Sequence, residues 1–187
     1  NSNALSGAIP KEIGNLVLLT GLNLANNQLV SPIPAELANL SVLEDFRMNN
    51  NQFSGSIPPE FGLLSDLYIL DLSNNAFTGS IPVEITQIPN LQTFSLANNQ
   101  LSGTIPPEFG NLTGLYTLKL TGNQLTGPIP SQFGNLLQLR NLYLSDNLLN
   151  SPLPASLTKL KYLDNFDYSN TVLCTPVDTA FQTWLGT

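Results

Sequence analysis

Leu91-Gln92-Thr93-Phe94-Ser95-Leu96-Ala97-Asn98-Asn99-Gln100-Leu101-Ser102-Gly103-Thr104-Ile105-Pro106 decides the fold. Within it, Phe94-Ser95-Leu96 alternates apolar and polar residues, so two side chains fall on one face of a strand and one on the other. Gly103 and Pro106 then mark a bend and a change of direction. One such segment cannot bury its own apolar face. The rest of the chain supplies the remedy, because Asn99 recurs as Asn3, Asn27, Asn51, Asn75, Asn123 and Asn147 at a constant spacing of 24 residues, with Thr171 next in that register. The apolar frame travels with it and can be followed from Leu19 to Leu163. Stacked copies pair their strands in parallel about 4.8 Å apart and share one core. Seven coils would then span about 34 Å.

The composition agrees with a stacked array and excludes several classes. Charged residues are 10% of the 187, against roughly 25% in an ordinary soluble domain, and there are 13 glycines and 14 prolines. The net charge of −7 disfavours nucleic acid and anionic lipid. With no histidine and one cysteine, Cys174, the sequence holds no Ser-His-Asp or Cys-His nucleophile system, no internal disulfide and no thiolate metal cluster. No catalytic residue, metal ligand or cofactor is assigned. No apolar run approaches the ~20 residues needed to cross a bilayer, so no membrane insertion by this segment is expected.

The motif Leu-x-x-Leu-x-Leu-x-x-Asn-x-Leu-Ser/Thr-Gly-x-Ile-Pro, as it stands at 91–106, resembles the plant-type leucine-rich repeat, the class of receptor-kinase ectodomains and polygalacturonase-inhibiting proteins. The resemblance covers residues 1 to about 173. It implies an α/β repeat solenoid with a parallel β-sheet on the concave face, short 3₁₀ or single-turn helices on the convex face, and recognition outside the cell or at its surface. The paired cap cysteines usual in plant secreted members are missing, so a bacterial or algal relative is the other expectation.

Residues 1–168 are read as seven periods and 169–187 as a C-terminal cap. Thr175-Pro176-Val177-Asp178 reads as an N-cap, a first-turn proline and an acid in the first turn, and Val177, Phe181, Trp184 and Leu185 follow at helical spacing. A capping helix with Trp184 as a lid is expected. The strand that would precede Asn3 is absent, so the first period lacks its strand and its cap. The alternatives are a fragment of a longer protein, or a first coil covered by a partner or by self-association through that end. In Pro107-Glu108-Phe109-Gly110, Pro is expected to start a short helical turn and Gly to stop it.

The binding surface is expected on the solvent side of the inner sheet. One column there reads Asn23, Arg47, Asp71, Ser95, Lys119, Tyr143 and Asp167, and a second reads Thr20, Glu44, Tyr68, Gln92, Tyr116, Arg140 and Asp164. From these columns Arg47, Tyr68, Asp71, Tyr116, Lys119, Arg140 and Tyr143 are assigned as ligand-binding residues, since aromatic and cationic side chains dominate interface hot spots. The expected partner is a protein or peptide, or a glycan. Salt pairing of Arg47 with Asp71, and of Arg140 with Tyr116 and Asp164 as neighbours, is the competing use of these charges.

Three other sets of polar residues stand out in the sequence. Glu12, Glu36, Glu60, Glu84 and Glu108 form a column that is expected to sit in helical first turns rather than to collect calcium. Ser54, Thr78, Ser102 and Thr126, with Ser56, Ser80 and Thr104, are regular hydroxyl rows that would suit ice binding, the alternative function; Pro32, Pro128 and Pro152 interrupt the second row. A short second strand is the expected use of this segment, with its glycines permitting the bend. Asn39-Leu40-Ser41 and Asn111-Leu112-Thr113 match the N-glycosylation pattern.

Overall fold

Each 24-residue period forms one coil, and in the computed structural model, which describes residues 3–186, the coils stack through two parallel sheets. The inner sheet has seven strands of three residues: Gly21–Asn23, Asp45–Arg47, Ile69–Asp71, Thr93–Ser95, Thr117–Lys119, Asn141–Tyr143 and Asn165–Asp167. Neighbours pair in strict 24-residue register, as in Leu118 with Phe94 on one side and Leu142 on the other. The middle residue of each strand points into the core; Phe46, Leu70, Phe94, Leu118 and Leu142 are fully buried.

The bend after each asparagine forms a second, eight-stranded sheet, from Ser6–Gly7 through Gln100–Thr104 to Val172–Cys174. Its register falls two residues short of the period: Ser54 pairs with Ala76 and Gln124 with Ser102. The columns of hydroxyls at Ser54, Thr78, Ser102 and Thr126 therefore run obliquely to the hydrogen-bonding direction. At the bend the backbone is left-handed at Gly55, Gly79, Gly103 and Gly127, and Ser31 (φ 78°) and Ser151 (φ 93°) take the same conformation without glycine's freedom. Because that region costs an L-residue about 1–2 kcal/mol, Ser31→Gly and Ser151→Gly are each expected to raise stability by about 0.5–1 kcal/mol after the entropy of a freer unfolded chain is deducted. Urea denaturation of the two variants measures this, and a loss of stability in both would contradict it.

The outer side carries seven five-residue 3₁₀ turns, among them Pro59–Leu63, Pro107–Asn111 and Ser131–Asn135. Each follows a proline held near φ −60° and ψ 130°, which sets the chain on course for the turn without a side-chain cap. Glu12, Glu36, Glu60, Glu84 and Glu108 lie in first turns. Gly110 does not stop its turn, which continues through Asn111. Its role is close approach: a Cβ there would stand 2.6 Å from the carbonyl oxygen of Gln132 on the next coil.

Between the sheets and the 3₁₀ turns lies a continuous core. Phe94 stacks on Phe109 at 5.9 Å and Phe109 meets Phe133 at 6.3 Å, so aromatic contact passes from coil to coil. The asparagine column closes the polar edge of this core. Asn99 Nδ2 donates to the carbonyl oxygens of Leu96 (3.0 Å) and Ala97 (3.3 Å) in its own coil and to that of Leu72 (3.1 Å) in the coil before, while its Oδ1 accepts from the Phe77 amide at 3.1 Å. Asn51, Asn75, Asn123 and Asn147 repeat the pattern. At the last coil Thr171 donates to Tyr168 O (2.6 Å) and reaches no other coil.

The final coil is covered by the helix Thr179–Leu185, with Phe181 fully buried and Trp184 packed on Phe166 at 6.2 Å and on Phe181 at 5.3 Å. This helix starts at Thr179, three residues later than the first-turn Pro176 that the sequence suggests. Asp178 supplies the carbonyl for the first helical bond, from the Gln182 amide, and Gln182 Nε2 holds the Pro176 carbonyl at 2.6 Å outside the helix. Val177 is consequently 99% exposed and packs on nothing.

Candidate ligand-binding face

The inner strands turn their first and third residues to solvent because the middle residue is taken by the core, and the residue just before the strand is also open to solvent at Tyr68 and Tyr116. Arg47, Tyr68, Asp71, Tyr116, Lys119, Arg140 and Tyr143 all stand on that side, and the structure gives them different commitments. Arg47 bonds Asp45 of its own strand, Nε to Oδ1 at 2.8 Å, and not Asp71 as expected. The reason is local: Asp71 Oδ1 accepts from the Ser73 amide at 3.0 Å and from its hydroxyl at 2.6 Å, forming a turn at the strand end. Asp167 does the same with Ser169, and these hydrogen bonds, the side-chain one first, lower its pKa below the ordinary aspartate value. The hydrogen bond to Asp45 is also the main reason that the Arg47 pKa is raised.

Toward the C-terminal end the face becomes aromatic. Arg140 Nη1 meets Asp164 Oδ2 at 3.0 Å, and its guanidinium lies 5.5 Å from the Tyr116 ring and 5.7 Å from the Tyr162 ring. The pairing with Tyr116 and Asp164 was expected. Tyr162 is not among the residues the sequence singles out, because it lies two residues before the column position of Asp164, in the turn that enters the last strand; the recurrence of tyrosine around one arginine is visible only in three dimensions. Lys119 Nζ stands 5.8 Å over the Tyr143 ring. Beside it is a depression of about 230 Å³ lined by Ala97, Lys119, Thr121 and Tyr143. Tyr116 and Tyr162 keep 45% and 54% of their surface exposed, so their rings remain available to a second molecule. A larger hollow, about 490 Å³, lies among Ile-Pro corners such as Ile105, Pro128, Ile129 and Pro152 on the flank, with no charged group to orient a ligand. Among the described residues no three acidic or thiol groups converge as a metal site, and no helix is long and apolar enough to cross a membrane.

Models of leucine-rich repeats match residues 18–40, 42–64, 66–88 and 138–160, and a two-copy model of the same repeat matches 89–131. The chain is a leucine-rich repeat protein. None of the curated proteins compared with it matches this chain. Among solved structures, the repeat array is similar to the plant peptide hormone receptor RGFR1 in complex with RGF2, with 40% identity over 91% of this chain and 27% of that one and a TM-score of 0.89. It is also similar to the ectodomain of the receptor kinase GASSHO1/SCHENGEN3 from Arabidopsis thaliana, in complex with Casparian strip integrity factor 2, with 38% identity over 97% and 22% and a TM-score of 0.94. A plant ice-binding protein is 29% identical over 96% of this chain and 74% of that one, with a TM-score of 0.70. The chain thus belongs to the plant-type class of leucine-rich repeats, and it spans about a quarter of the length of the two receptors.

Proposed function

We propose that this repeat array is a non-catalytic recognition segment, outside the cell or at its surface, that holds a peptide or an extended stretch of a protein against its inner sheet. The observation that carries the reading is the cluster of exposed tyrosines around Arg140 on that sheet, with Lys119 and Tyr143 beside it. Such side chains offer large contact area at low entropic cost, and their guanidinium and phenol groups orient a backbone that lies across them. The likeness to receptor ectodomains solved with peptide hormones supports the same reading. The experiment is to pan a random peptide display library against the immobilised chain and to map each recovered peptide by hydrogen exchange. Protection over 116–119, 140–143 and 162–167 is expected. Protection confined to the 3₁₀ turns or the second sheet rejects the reading.

The likeness to a plant ice-binding protein favours a second reading, with the hydroxyl rows as the ice-facing surface. It is tested by thermal hysteresis and recrystallisation inhibition. On the main reading, the chain shows neither. Hysteresis lost on changing Thr78, Ser102 and Thr126 to tyrosine would establish the second reading instead.

A further inference from the structure

We infer that Lys119 reads an acidic side chain in the middle of the bound peptide, so that the inner face accepts Asp or Glu at this coil and rejects them two coils away in each direction, at Asp71 and Asp167. This rests on the peptide-binding reading above and deepens it. Three cations stand on the face, and two are taken: Arg47 by Asp45 at 2.8 Å and Arg140 by Asp164 at 3.0 Å. Among the described residues no carboxylate lies within 4.0 Å of Lys119. Its facing neighbours, Ser95 and Tyr143, and the diagonal ones, Thr93, Ala97, Asn141 and Ser145, are all neutral. The nearest carboxylates in its own column are Asp71 and Asp167, two coils away in each direction. Two coils are about 10 Å, close to the Debye length at physiological salt, so their repulsion is largely screened at Lys119 and strong at their own positions.

The depression beside Lys119 also has the groups that a carboxylate needs. Thr121 Oγ1 lines it and lies 3.1 Å from Ser145 Oγ, whose hydroxyl also serves Asp167, so the Thr121 hydroxyl is the one that can turn its hydrogen toward an incoming acceptor. The Ala97 methyl leaves the space open, and the Tyr143 ring shields one side of the ammonium group. The carboxylate belongs to a side chain rather than a chain end. Exposed aromatic side chains lie on both sides of Lys119, at Tyr68 toward the N-terminal coils and at Tyr162 toward the C-terminal ones, so a peptide reaching both crosses Lys119 mid-chain.

The test uses the peptides recovered from the library on the whole chain. Recovered sequences are expected to share one internal Asp or Glu, and Asp→Asn or Glu→Gln in the peptide to weaken binding about tenfold at physiological salt. The same amide change is expected to have no effect on Lys119→Met, and panning on Lys119→Glu to recover Lys or Arg at that place instead. An equal loss on wild type and Lys119→Met, or recovered peptides without an acidic residue, overturns the inference. If such peptides still depend on Tyr116 and Arg140, the recognition reading survives alone. A library that yields no binder removes both.

Discussion

Replacing Tyr116, Arg140 and Tyr143 together by alanine is expected to weaken a bound peptide by about 3 kcal/mol or more, at least a hundredfold, while leaving the fold intact. The two halves of this expectation have separate physical sources. In the free protein these side chains stabilise little: the Arg140–Asp164 pair is largely exposed, with side-chain accessibilities of 42% and 56%, and an exposed pair contributes at most about 1 kcal/mol. The ring contacts of Arg140 and Lys119 are surface cation–π pairs, each worth roughly 0.5–1 kcal/mol. In the complex the same rings are covered and their neighbours dried, which is where aromatic and guanidinium groups contribute most. Isothermal titration with a recovered peptide, beside urea denaturation of the free variant, measures both. A variant that binds as tightly as wild type would falsify the assignment of this face.

The second large effect is on stability. Asn99→Ala is expected to cost about 2–4 kcal/mol in urea denaturation, although it removes only one small side chain. Leu72 O and Leu96 O each keep a second donor, from Asn75 and Asn123, so the carbonyls on either side are not stranded. The Phe77 amide is different. Its acceptor is Asn99 Oδ1, in a buried setting, and an unpaired buried N–H loses its full desolvation penalty of about 1–3 kcal/mol, to which the vacated space adds. Asn99→Asp keeps that acceptor but turns a charged oxygen toward carbonyls, so it should be no milder at neutral pH and should recover stability as the pH falls and the carboxyl is protonated. A loss below about 1 kcal/mol for the alanine variant would mean that the column is ornamental.

Much of the architecture was legible because the repeat restates the same physical problem in every period. Period-two alternation places Phe94, Leu118 and Leu142 inward, and no other arrangement of a 24-residue coil shelters them. The asparagine column could be read as backbone satisfaction for the same reason. The misreadings fall where a choice depends on a neighbour one coil away or on a competing local bond. Arg47 and Asp71 are adjacent in the register, but each found a partner two residues along its own chain, which loses less side-chain entropy than spanning the coils. The start of the last helix turned on Gln182 reaching back to the Pro176 carbonyl, a contact without periodicity. Tyr162 escaped notice because it belongs to a turn, where the columns of the sheet do not extend. Gly110 looked like punctuation in one dimension and proved to be clearance for the Gln132 carbonyl in three.

That clearance bears on the bow of the whole array. The position of Gly110 is occupied in other coils by Gly14, Ala38, Gly62, Thr86, Gly134 and Thr158, so the outer turns meet over a bare backbone at the glycine steps and over a side chain at the others. The inner strands keep one fixed hydrogen-bonded spacing, and the difference between the two sides is what bends a stack. Side-chain bulk in a single outer column therefore acts as a set of wedges that tunes how tightly the inner wall closes around whatever lies in it.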